Sequence, residues 1–278
     1  MKRKARRCNN IVVVGDTHIG CAMGLCGHDF ALDDGGVYAP SSCQRTVYAW
    51  WQEFWGTWVP RVTKGEPFDV VHVGDAIDGC HHGTKTQVTQ NIDSQLREAE
   101  QLLRPVVAAC DGRYYHIRGT EAHVGQSGEW EERLAKSLGA VPDEDGRCAR
   151  WVLWKRVGPA LCNFMHHIGT TGSSAYESTA VYKELVEAYV ESGRWHDEAP
   201  QVVVRGHRHR SFETRVPCGN GYAMAVVVPG WQLKTPFAQR IPGARQSEPQ
   251  IGGAVLRCGD EEVFARHKVW RLSRPKEA

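Results

Sequence analysis

Short runs of apolar, mostly β-branched residues punctuate the chain, and each ends in residues able to bind metal. Ile11-Val12-Val13-Val14 runs into Gly15-Asp16-Thr17-His18. Residues 69–73 run into Gly74-Asp75, and residues 114–118 into Gly119-Thr120-Glu121-Ala122-His123. Residues 160–165 end at His166-His167, and residues 201–205 at Gly206-His207-Arg208-His209. The uninterrupted apolar run 11–14 predicts a strand buried on both faces, as in a parallel sheet, and the later segments repeat its strand-then-ligand architecture with polar residues among the apolar ones. Helical spacing separates them. Residues 44–59 place Trp50, Trp51, Phe54, Trp55 and Trp58 three and four apart, an apolar stripe that predicts core packing rather than a platform for stacking bases. Ser41 or Ser42 can cap that helix. Further helices are expected over 90–109, with a kink at Pro105, over 129–138 and over 179–192. Strand-loop-helix units in series predict parallel strands joined by right-handed crossovers.

Further strands are expected over 151–156, 211–216, 222–228, 253–257 and 262–269, while 139–150 reads as a polar loop. The glycine-rich stretch 20–42 is long for a connection and follows a candidate site strand, so it is expected to be a partial lid. Nothing rich in Pro, Gly or Ser interrupts the pattern, and no solenoid period recurs. The expectation is one domain over 11–278 behind a flexible basic tail over 1–10.

Ligands bind beyond the carboxyl ends of strands in open α/β sheets. Residues i and i+2 of an extended segment point the same way, so Asp16 with His18, and His207 with His209, can each converge on one point. Mixed carboxylate oxygen and imidazole nitrogen suits divalent metals. Two metals ~3.5–4 Å apart need a bridging oxygen ligand, and together they clamp a phosphoryl group and lower the pKa of a bound water. Asp75 is the natural bridge because it has two oxygens. His81, His82 and Asp78 follow it closely and either line a cleft or sit in solvent.

The bulk numbers narrow the classes. With 278 residues, 41% hydrophobic and 24% charged, the composition is that of an ordinary globular protein. A net charge of +2 gives no whole-molecule field for nucleic acid, although Lys2, Arg3, Lys4, Arg6 and Arg7 gather in the tail and could touch phosphate backbones. Ten cysteines occur without a Cys-x-x-Cys, which argues against a structural zinc knuckle. Cys80, Cys110 and Cys162 read as small core residues. No signal peptide is apparent, and no apolar run reaches the ~18 residues needed to span a bilayer. The expected setting is a reducing cytoplasm, host cytoplasm if phage-encoded, with no membrane partner.

These motifs, in this order and each at a strand end, resemble the calcineurin-like metallophosphoesterases over roughly residues 11–231, and the compact length resembles stand-alone bacterial or phage members. The resemblance implies an α/β fold, a four-layer α/β/β/α sandwich with two facing mixed β-sheets. It implies that Asp16, His18 and His209 bind one metal, that Asp75 bridges, and that His166, preferred to His167, binds the second with His207. Where the family reads Gly-Asn-His, this chain reads Gly119-Thr120-Glu121-Ala122-His123. Glu121 can replace the asparagine as a charged ligand, or Thr120 can take its place, and His123 remains the candidate acid for the leaving group. Extra negative charge favours Mn2+, with Mg2+, Fe or Zn2+ as alternatives. The implied function is a dinuclear-metal-dependent phosphoesterase acting on a phosphomonoester or phosphodiester through a metal-bound hydroxide. Asp-Thr-His-Ile-Gly also resembles repair nucleases of the family, so nucleic acid stays open as substrate. A non-catalytic scaffold keeping the fold is the alternative.

Overall fold

The structure, a computed structural model, describes residues 8–81, 83–169, 174–219, 221–240, 247–259 and 262–273. Most of the basic tail, His82 and part of the loop after His166 lie outside the described residues.

In chain order, β1 (Asn10–Val14) leads through a hairpin of β2 (Phe30–Ala31) and β3 (Val37–Tyr38) to α1 (Ser42–Glu53). A π-helical turn, Phe54–Trp58, joins α1 to α2 (Val59–Thr63). Then come β4 (Asp69–His72), α3 (Ile92–Ala109), β5 (Tyr114–Ile117), α4 (Glu121–Val124) and α5 (Glu129–Ser137). The second half holds β6 (Ala149–Arg150), β7 (Leu153–Val157), β8 (Ala160–Phe164), α6 (Glu177–Trp195) and β9 (Val202–Arg205). It closes with β10 (Phe212–Cys218), β11 (Gly221–Val227), β12 (Ile251–Cys258) and β13 (Val263–Trp270).

Two mixed sheets result, ordered β13-β12-β1-β4-β5-β6 and β10-β11-β9-β8-β7. β1, β4, β5 and β6 are parallel, with β12 antiparallel to β1. In the second sheet β8, β9 and β11 are parallel, with β7 and β10 antiparallel at the edges. The period of two along a strand assigns the faces. Ile11 and Val13 of β1 join Val202 and Val204 of β9 between the sheets. Val12 and Val14 turn outward under α1, α3 and α5, among Trp51, Phe54, Leu103 and Leu134. Val203 turns the other way, onto Val181 and Leu185 of α6. The architecture is an α/β/β/α sandwich, with strands buried on both faces as the apolar runs require.

Several sequence expectations change in detail. The helix expected over 44–59 runs from Ser42 to Thr63 with a π turn inside it; Trp51, Phe54 and Trp58 are buried, and Trp50 and Trp55 pack on the rim of the same cluster. Part of the expected loop 139–150 is strand: Ala149 and Arg150 pair in parallel with β5. Trp151 is half exposed ahead of β7, which begins at Leu153. Cys110 and Cys162 are buried, but Cys80 is exposed, because it follows the site loop instead of sitting in an element. α3 continues through Pro105 to Ala109. The expected lid is half core: Leu25 and Phe30 are buried, and the backbone N–H groups of Leu25 and Leu233 bond to Thr17 and Met23 carbonyls. Among the described residues no helix is long and apolar enough to cross a membrane.

Ser41 caps α1. Its hydroxyl accepts from Gln44 N–H, and Gln44 Oε1 accepts in return from Ser41 N–H at 3.1 Å. The Gln44 amide also donates to the Cys21 and Gly24 carbonyls, both at 3.2 Å, so the box ties the loop after β1 to the helix. Ser41→Ala is expected to cost about 1 kcal/mol, read as a lowered urea midpoint at unchanged slope. An unmoved midpoint would show that the box adds nothing.

Candidate metal centre

The carboxyl ends of β1, β4, β5, β8 and β9 lie side by side because all five belong to parallel runs within the two facing sheets. Their loops hold an unusual backbone. Among the described residues, eight non-glycine positions have left-handed φ, and five of them are Asp16 (52°), His18 (41°), Asp75 (53°), His207 (71°) and His209 (51°). Asp and His tolerate this region better than most residues, yet each instance costs free energy and such strain gathers at functional sites. Backbone bonds hold it in place: Asp16 N–H donates to Gly74 C=O at 2.8 Å, and His18 N–H to Asp75 C=O at 3.0 Å. Gly119 packs so closely that a Cβ there would stand 2.0 Å from Asp75 Oδ1.

The side chains then meet. His18 Nε2 lies 3.2 Å from His209 Nε2, and His209 Nε2 lies 3.4 Å from Asp16 Oδ1. Asp75 Oδ2 lies 4.0 Å from His18 Nε2 and 3.1 Å from His166 Nε2. His166 Nε2 is 3.2 Å from His207 Nδ1. Thus Asp16, His18 and His209 form one group of converging ligand atoms, and Asp16, Asp75 and His166 form another. His166 Nδ1 donates to Val73 C=O at 2.6 Å, which turns Nε2 into the site. His167, its exposed neighbour, joins a separate group with His166 and His207.

The altered third motif resolves by placement. Thr120 N–H donates to Asp75 Oδ1 at 2.7 Å, and Thr120 Oγ1 lies 3.3 Å from Asp75 Oδ2, 3.1 Å from His166 Nε2 and 3.2 Å from His207 Nδ1. Thr120 is the N-cap of α4 but does not spend its hydroxyl on the cap. Glu121 is the first helical residue, exposed, and in none of the ligand groups found among the described residues. The helical turn that begins there points it out of the site. Thr120, not Glu121, takes the place facing Asp75. His123, three residues on, stands 4.5 Å ring to ring from His18 and donates from Nδ1 to Asp78 C=O at 2.6 Å.

Electrostatics fit a cation. Burial pushes the Asp16 carboxyl up, but the imidazoles of His209 and His166 outweigh it and hold the group at about 2. Asp75 is likewise held well below the usual carboxylate range, burial being overcome by His166 and His123. Burial pulls His166 down and Asp75 pulls it further up, to about 10. Burial and then His166 push His207 down to about 4. Two buried carboxylates therefore stay ionised and call for positive charge. Asp16 Oδ1, fully buried, accepts no hydrogen bond, and His18 and His209 turn nitrogens toward each other. Such atoms are ordinarily satisfied; a divalent cation satisfies all three, so these residues fit a bound metal.

A second layer supports the ligands. Asp78 Oδ1 lies 3.2 Å from His18 Nδ1 and accepts from Gln232 Nε2 at 3.3 Å, while Gln87 Nε2 donates to Asp78 Oδ2 at 2.7 Å. This carboxylate–histidine pairing fixes ring orientation and tautomer in metal sites. Glu131, fully buried on α5, accepts from Ala76 N–H at 2.9 Å and Gly119 N–H at 2.7 Å. Nothing in the helical pattern around Glu131 distinguishes it from a solvent-facing glutamate, so sequence reasoning passes over it.

No family model matches the sequence, and no curated protein does. Solved structures that are similar include Vps29 from Entamoeba histolytica, 11% identical over 94% of this chain and 99% of that one, with a TM-score of 0.38. A metallophosphoesterase from Sphaerobacter thermophilus is 11% identical over 94% and 89%, at 0.40. Sulfate thiohydrolase SoxB from Thermus thermophilus is 12% identical over 98% and 58%, at 0.37. Likeness at this level carries no weight for function, which rests on the residues of this chain.

Proposed function

We propose that the chain is a dinuclear-metal-dependent phosphoesterase of the calcineurin-like metallophosphoesterase type, hydrolysing phosphomonoester or phosphodiester bonds. One observation supports this most: Asp75 Oδ2 stands between His18 Nε2 and His166 Nε2, where a bridging carboxylate belongs. Asp16, His18 and His209 would hold one cation. His166 and His207, with the Thr120 hydroxyl beside them, would hold the second, Mn2+ being the first choice. A bound pair neutralises phosphoryl charge and lowers the pKa of water at neutral pH.

The chain's own groups do the rest. Strained loops and backbone bonds hold the donors in place without substrate, so little reorganisation is needed. His123 handles the proton of the leaving oxygen. Burial, and then His18, push it down to about 4, and its Nδ1 proton is committed to Asp78 C=O, so Nε2 is the working atom. A dianionic or monoanionic ester beside it favours the protonated ring, which can then deliver its proton.

The test uses bis(4-nitrophenyl) phosphate and 4-nitrophenyl phosphate with Mn2+, before and after chelation. Hydrolysis that appears with Mn2+ and disappears with EDTA is the expected result. No turnover with Mn2+, Mg2+, Fe2+ or Zn2+ would leave the scaffold reading. Among natural classes, single-stranded DNA, a cyclic nucleotide and a phosphopeptide compared in one metal buffer identify the substrate.

A further inference from the structure

Beside the metal centre a second set of ligand-type side chains converges. Asp78, His81 and His123 bring one ligand atom each within 4.8 Å of the others. Asp78 is buried and both histidines are partly covered. Asp78 Oδ2 lies 3.4 Å from His81 Nε2, and the His81 and His123 rings stand 4.3 Å apart, their planes at 68°. Nδ1 of His123 lies 3.9 Å from Asp78 Oδ1 and donates to Asp78 C=O, so the lone pair the ring can offer a cation is on Nε2. Two imidazoles and one carboxylate form the three-ligand set that suits Zn2+ with an open fourth position. Gln87, from the same loop, donates to the carboxylate, and His123 comes from α4.

His123 also belongs to a group with His18 and Asp75. It therefore stands between the proposed catalytic pair and this second cluster.

We propose that Asp78, His81 and His123 form a third cation site, weaker than the pair and fitted to Zn2+, whose occupation inhibits hydrolysis. It is weaker because it has a single carboxylate, whereas the pair draws on two buried carboxylates and more donors. Coordination takes up the Nε2 lone pair of His123, and the ring can then no longer carry a proton to the leaving oxygen. The inhibition rests on the phosphoesterase reading; the site itself does not.

The experiment counts bound Zn2+ by equilibrium dialysis and follows ester hydrolysis as Zn2+ rises, in the intact chain and in His81→Ala. His81 is outside the catalytic set, and an unchanged melting temperature in chelator confirms that the variant folds. The intact chain is expected to bind one equivalent more than His81→Ala. Its rate is expected to fall at high Zn2+ on the order of 10²-fold, the share a general acid contributes, while the variant keeps its rate. Equal stoichiometry in the two proteins overturns the site. A lost equivalent with equal inhibition in both overturns the inhibitory role. A lost equivalent with no hydrolysis in Mn2+, Mg2+, Fe2+ or Zn2+ supports the site and overturns the phosphoesterase reading instead.

Discussion

Asp75→Asn is expected to lower metal-dependent hydrolysis on the order of 10³-fold, since under the proposed function a displaced bridge would remove charge stabilisation from both cations at once. Asparagine keeps the shape and is the residue best suited, after glycine, to the left-handed φ of 53° at this position. It can also keep the bond from Thr120 N–H by turning its single oxygen to the Oδ1 place. Its NH2 then faces His166 Nε2 where Asp75 Oδ2 stands at 3.1 Å, and an amide NH2 offers no lone pair to a cation. The fold should survive, because one of two neighbouring buried negative charges is removed. The measurements are kcat/KM at saturating Mn2+ and the melting temperature in chelator. A variant within tenfold of the parent would show that Asp75 does not bridge.

The strand ends were legible because a buried parallel strand must be apolar on both faces, and the polar residues that end it stand out. That contrast located Asp16, His18, Asp75, His166, His207 and His209, which the structure brings together. Other features leave no such contrast. β6 is two residues long and needs only backbone pairing with β5, so Ala149 and Arg150 carry no pattern. The π turn at Phe54–Trp58 keeps the aromatic spacing of an α-helix. Choosing between Thr120 and Glu121 depends on where α4 begins, and a shift of one residue there turns a side chain from Asp75 to solvent. The left-handed φ values and the carboxylate of Glu131 are set by tertiary contacts alone.

Glu131→Gln is expected to weaken metal binding by about 10–100-fold, although Glu131 touches no ligand side chain. Its two oxygens accept from Ala76 N–H and Gly119 N–H, one on the loop that carries Asp75 and the other on the loop that carries Thr120. The carboxylate is the tie between them, and His116 Nε2 lies 3.4 Å from its Oε1. Glutamine has one acceptor oxygen, so one of these buried N–H groups loses its partner and faces an NH2 donor, costing about 1–3 kcal/mol. The freed loop lets Asp75 or Thr120 drift from the position that Gly119, without a side chain, was needed to permit. Mn2+ titration reads the affinity and urea denaturation reads the stability. Unequal responses separate two roles: lowered stability with unchanged Mn2+ affinity makes Glu131 a core residue only, whereas a loss of affinity beyond what the unfolded fraction explains identifies it as the residue that positions the bridge.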